Sequence, residues 1–182
     1  MPENFEAAMK IVFANEGGIA DDPDDHGGFT NMGLTLGFLN HMADPMKYVG
    51  HALPWIREDL QHMPRNMAYQ IYKDCIWDRN SYGQIKDTLV ATKVFDMAVN
   101  MGEVQGEKLT QRAVNDLKYE PPLYCDGNLG PKSFEAINSL HRDLLLNAMR
   151  NQAVAFYEGI IQRDPTQEKF RHTWMERAHW PF

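Results

Sequence analysis

The sequence holds only two cysteines, Cys75 and Cys125, far apart in the chain. That excludes a disulfide framework and any CxxC metal or redox pair, and leaves two reduced, packed thiols as the expectation. No stretch approaches the roughly eighteen consecutive apolar residues of a membrane helix. Residues 1–15 also lack the basic start and unbroken apolar run of a signal peptide, so the chain reads as soluble and made in the cytoplasm. Basic charge is short as well: 18 Lys+Arg against 25 Asp+Glu gives a net charge of -7. This is the wrong sign for tracking nucleic-acid phosphates or lying on an anionic bilayer. The histidines show no HExxH or other paired metal spacing, and GxSxG is absent, so neither a zinc site nor a serine nucleophile elbow is expected. No internal repeat or low-complexity tract is present, which removes solenoids and disordered tails.

What is there suits a compact domain, or one domain with a small appended unit, since 43% of the 182 residues are apolar. The apolar residues recur at three and four, as in Phe5, Met9, Val12 and again in Met67, Ile71, Cys75 with Ala68, Tyr72, Ile76. This is helical spacing. Pro64 and Pro131 stand where helices begin, and Gly17-Gly18 and Gly102 where they stop. Six to eight helices are expected. Residues 87–101 are apolar on more than one face, which predicts a central helix with Asp96 and Asn100 buried together on it. Residues 104–115 and 131–160 read as further amphipathic helices, and the loop 118–130, with Pro121-Pro122 and Asp126-Gly127, as a candidate subdomain boundary.

One stretch is not helical. Residues 16–33 read EGGIADDPDDHGGFTNMG, where paired glycines mark sharp turns and aspartates supply acceptors, so a loop or short hairpin follows the first helix. Glu16 extends the stripe of Phe5, Met9 and Val12, an odd place for a carboxylate. Burial there and the negative end of a helix both favour the protonated form, which is what a general acid requires. Asp25 falls in the polar loop, where it stays ionised, and Thr30 adds a hydroxyl able to hold a water. Two carboxyls in contrasting surroundings plus a hydroxyl form a constellation for glycoside hydrolysis, against the alternative of a capped helix end and a solvated acidic turn. Asp22, Asp24, His26 and Gly27 begin like a calcium loop, but Gly33 stands where the bidentate glutamate belongs. No metal and no cofactor is expected.

The ordered set Glu16-Gly17-Gly18, Asp22-Pro23, Asp25, Gly27-Gly28, Thr30, Gly33 and Thr35 resembles the EGGY…DPxDxGGxTxxGIT signature of glycoside hydrolase family 108. The likeness continues through Ile71-Tyr72, Trp77-Asp78, Phe95-Asp96 and Val99-Asn100-Met101-Gly102. Residues 109–115 (LTQRAVN) and 126–133 (DGNLGPKS) are similar to pieces of the peptidoglycan-binding region that accompanies this family. The resemblance implies a mainly α, lysozyme-like helical fold with a Gly/Asp-rich catalytic loop or short hairpin after the first helix. It divides the chain into a catalytic region, 1–94, and a helical wall-binding region, 95–182, packed into one unit. It implies an N-acetylmuramidase of phage-endolysin type, a monomer acting on peptidoglycan glycan strands. Glu16 takes the place of the catalytic glutamate, with Asp25 and Thr30 beside it, Thr35 as the alternative to Thr30, and Asp22, Asn100 and Trp77 with Thr35 as substrate contacts. Ile19 replaces the tyrosine usual after the two glycines, and Phe29 stands at a commonly polar position.

Trp55, Trp77, Trp174 and Trp180 are candidate sugar platforms, although Trp77 continues the helix of Tyr72 and Ile76 and reads as packing first. The alternatives are a lytic transglycosylase, which uses the same glutamate without a water nucleophile, and a secretion-associated cell-wall-binding protein. Without an export signal, an enzyme made in the cytoplasm reaches the wall in the periplasm by a holin or a secretion machine.

Overall fold

The computed structural model describes residues 2–15, 18–20 and 29–180. Helix α1 (Pro2–Asn15) leads into a small antiparallel sheet, β1 (Ile19–Ala20), β2 (Thr30–Asn31) and β3 (Leu34–Thr35), with the strands in chain order. Four short helices follow: α2 (Leu36–Met42), α3 (Pro45–Tyr48), α4 (Arg57–Gln61) and α5 (Arg65–Tyr72), the last running on as a π-helical segment, Lys73–Asp78. The second half is α6 (Thr88–Met101), α7 (Glu103–Asp116), α8 (Pro131–Ser139), α9 (Arg142–Arg163) and α10 (Arg171–His179). This is the mainly helical, lysozyme-like fold with a short hairpin after the first helix that the sequence implies.

The described residues contain more helices than expected, for two reasons. Helices α3 and α4 are four and five residues long, too short to leave a periodic pattern. The stretch 131–160, read as one helix, is broken where Leu140 and His141 adopt extended backbone. Elsewhere the local signals hold: Pro131 opens α8, and Gly102 stops α6 with a φ of 83°. Asp87 caps α6 by accepting from the Leu89 and Val90 N–H groups.

On α1, Phe5, Ala8, Met9 and Val12 are buried at the spacing of one helix face, and this face lies on α6. Asn4 ties the same pair, donating to the Ile85 carbonyl (3.0 Å) and accepting from the Thr88 hydroxyl (2.7 Å). Helix α6 is the centre of the molecule, with every residue from Val90 to Ala98 buried. Asp96 is among them. Its partner is Arg177 of α10, at 3.0 Å, while Asn100 is exposed and accepts from the Tyr157 hydroxyl. The expectation that Asp96 and Asn100 are buried together is therefore corrected: cover from α10 reaches Asp96 but does not extend to the last turn of α6. Lys93, also buried, donates to the Arg177 and Ala178 carbonyls at 2.9 Å each, where a cation meets the negative end of α10.

Helix α7 approaches α6 closely enough that a Cβ at Gly106 would sit 2.8 Å from the Ala98 nitrogen. Its row Glu107, Gln111 and Asn115, four apart and largely covered, fastens the loop 118–130. Glu107 accepts from the Leu129 N–H (2.9 Å), Gln111 accepts from the Gly127 N–H (2.9 Å) and donates to Asp126 (2.9 Å), and Asn115 brackets Leu123 with two bonds of 2.8 Å. The loop is thus fastened to α7 along its length. Cys75 and Cys125 are free thiols. No described helix is long and apolar enough to cross a membrane.

Candidate active site

Glu16, Asp22 and Asp25 lie outside the described residues; the frame around them is described. Strands β2 and β3 are joined by the two residues Met32 (φ 50°) and Gly33 (φ 77°), left-handed backbone at both positions, as the tight hairpin turn requires. Met32 is not a glycine, and it is held there in part by the Tyr72 hydroxyl, which donates to the Met32 carbonyl at 2.9 Å. Asn31 donates to the Leu60 carbonyl at 2.8 Å and pins the hairpin to α4.

The register sets Thr30 directly opposite Thr35, and Ala20 of β1 opposite Thr30. Directly opposed residues share a face, so the two threonines between which the sequence leaves the choice open are neighbours. Thr35 also caps α2, its hydroxyl oxygen accepting from the Phe38 N–H at 3.0 Å.

Beside Thr35 is a concavity of 170 Å³ walled by Phe38, Tyr72, the Ala98 and Gly102 end of α6, and Glu103. It is smaller than the roughly 300 Å³ at which small-molecule pockets begin, so it has room for part of one sugar residue. Glu103 has no counterpart in the sequence-based site. As the first residue of α7 it sits at the positive end of a helix, half-buried, and accepts from Asn80 Nδ2 (2.6 Å) and Arg79 Nη1 (3.3 Å). The only sequence signal for it is its position directly after Asn100-Met101-Gly102. A second missed carboxyl, Glu107, is buried and accepts from the Tyr82 hydroxyl at 2.7 Å. Burial pushes its protonation upward against the two hydrogen bonds it accepts, yet it serves the loop 118–130 and not the cleft.

Trp77 is 3% exposed and packs on Phe5, Phe95 and Tyr82, with ring centroids 5.3, 5.4 and 6.1 Å away. It belongs to the core, and sugar stacking at this residue is corrected to packing. Trp55 is buried too, its indole N–H donating to the Ala43 carbonyl at 2.8 Å. Trp174 stacks between Tyr157 and Phe170. Asn100 stands on the turn of α6 that ends at the cleft, exposed on one side and held by Tyr157 on the other. Among the described residues no group of three or more His, Cys, Asp or Glu side chains could hold a metal ion.

The family model described as Glycosyl hydrolase 108 matches residues 9–102, and one described as Predicted Peptidoglycan domain matches residues 105–179. No curated protein matches the chain. Among solved structures, SagA of Brucella abortus is similar over 98% of this chain and 91% of its own, with 25% identity and a TM-score of 0.76. The first family model covers more than half of the chain and takes in the second half of α1, the sheet and the residues walling the cleft up to Gly102. The chain thus belongs to the glycosyl hydrolase 108 family, and is a glycoside hydrolase acting on peptidoglycan.

Proposed function

We propose that this peptidoglycan hydrolase is an N-acetylmuramidase, cleaving the β-1,4 bond between N-acetylmuramic acid and N-acetylglucosamine. Glu16 protonates the leaving oxygen, Asp25 stabilises the oxocarbenium-like centre or activates water, and Thr30 holds that water. Asp22, Thr35 and Asn100 contact the sugars. The catalytic region, 1–94, and the wall-binding region, 95–182, then share α6. The enzyme acts on the wall in the periplasm, which it reaches by a holin- or secretion-dependent route.

The supporting observation is the arrangement around the hairpin. The stripe Phe5, Met9, Val12 is buried along α1, Glu16 is the next residue on that spacing, and only Gly17 and Gly18 separate it from β1, whose Ala20 is paired with Thr30. A glutamate on the sequence spacing of a buried stripe, close in sequence to a strand paired with that of the half-buried Thr30, suits an acid with a water held nearby.

The test is mass spectrometry of soluble fragments from purified peptidoglycan. Wild type should release reducing N-acetylmuramic acid ends. Glu16→Gln, which keeps the shape and removes the proton donor, should be at least about a hundredfold slower with unchanged thermal stability. Anhydro ends from the wild type would make it a lytic transglycosylase, and a fully active Glu16→Gln would remove Glu16 from the mechanism.

A further inference from the structure

We propose that the depression formed by the loop between α7 and α8 is a second glycan-binding subsite, gripping neutral N-acetylated sugars outside the cleft. The proposal takes its ligand from the peptidoglycan-hydrolase reading. Its volume is 940 Å³ against 170 Å³ for the cleft, at the upper end of the range for small-molecule sites, about 300–1,000 Å³.

Tyr124 is 84% exposed on this loop. A broad ring left in water contributes little to folding, whereas beside Pro122 it offers a flat apolar face of the kind that packs on the C–H side of a pyranose. The loop is not soft. The bonds from Asn115 to Leu123 and from Gln111 to Gly127 and Asp126 fix the backbone on both sides of Tyr124, so little ordering remains to be done when a sugar arrives.

Charge selects the occupant. Glu120, Asp126 and Glu135 line the depression against a single Lys132. Stem peptides carry carboxylates of their own and are repelled by such a rim, while sugar hydroxyls can donate to it. The depression therefore takes the glycan rather than the peptide.

The test is a titration of the full-length protein followed by backbone amide NMR, with two probes. One is the β-1,4-linked tetramer of N-acetylglucosamine and the other is a stem tripeptide containing glutamate and diaminopimelate. The tetramer should shift amides within residues 119–135, and Tyr124→Ala should weaken that binding about tenfold, the loss expected for one stacking contact. Because the side chain lies in solvent, the variant should melt with the wild type. Shifts from the tetramer confined to residues around Thr35, shifts at 119–135 from the tripeptide instead, or unchanged tetramer affinity in Tyr124→Ala would each overturn the proposal. The products of peptidoglycan cleavage are read separately, so tetramer binding at 119–135 without reducing N-acetylmuramic acid ends would uphold this subsite while removing the muramidase reading.

Discussion

At the scale of single residues, the costliest positions are charges inside the core. Burial lowers the Lys93 ammonium from its ordinary value of 10.5 to about 8. Between those two values the unfolded chain holds a proton that the folded chain has released, so stability rises as pH climbs from about 8 to 10.5, and the gain is lost as pH falls through 8. The unfolding free energy of wild type minus that of Lys93→Met should grow by up to about 3 kcal/mol across this window in urea titrations. A difference that stays flat with pH would contradict a buried Lys93. Its neighbour Asp96 is paired with Arg177, so Arg177→Met, which removes one partner of a buried ion pair, should cost about 3–5 kcal/mol, seen as a fall in the urea midpoint. At this scale the sequence shows which side chains are unusual but not what covers them. Asp96 stands out as a carboxylate on an apolar helix, yet its partner lies 81 positions away on α10. Trp77 looks alike whether its ring meets sugar or Phe95, because helical spacing alone does not tell a core face from a cleft face. Glu103 carries no pattern of its own.

At the scale of elements, the long periodic helices and their punctuation were legible: α1, α6 and α7 lie where spacing and Gly102 put them. The short helices α3 and α4 were not, since they are held by individual caps and tertiary bonds, such as Asp44 accepting from the Met46 N–H. The hairpin was legible as a loop or short hairpin in a glycine-rich interruption, without its pairing. Its register depends on Tyr72 and Leu60, distant in sequence. The α6–α7 contact yields a prediction in which two effects oppose. Helix propensity alone would make Gly106→Ala stabilising by about 1 kcal/mol. The new Cβ would meet the Met97 and Ala98 backbone at 2.8 Å, which cannot swing aside, so the substitution should instead destabilise by about 1–3 kcal/mol in thermal or urea unfolding. A more stable variant would mean that the two helices are farther apart.

At the scale of the whole molecule, charge and connectivity set the behaviour. With a net charge of -7 the protein gains nothing from long-range attraction to an acidic wall, so binding depends on local contacts. Raising salt from about 50 to 200 mM should slow hydrolysis of purified peptidoglycan by less than about twofold, where a strongly basic enzyme loses far more. A steep loss would point to a concentrated basic face. The other whole-molecule property follows from the backbone contact at Gly106. Helix α6 ends at the cleft, α7 lies against it without an intervening layer of side chains, and α7 fastens the loop that carries Tyr124 through Gln111 and Asn115. The cleft and the groove are thus mounted on one stiff bracket, with no hinge between them among these elements. An enzyme built this way measures its substrate like a ruler: a strand seated in the groove meets the cleft at a fixed number of sugars from the anchor, and the fragments it releases should cluster in length rather than spread.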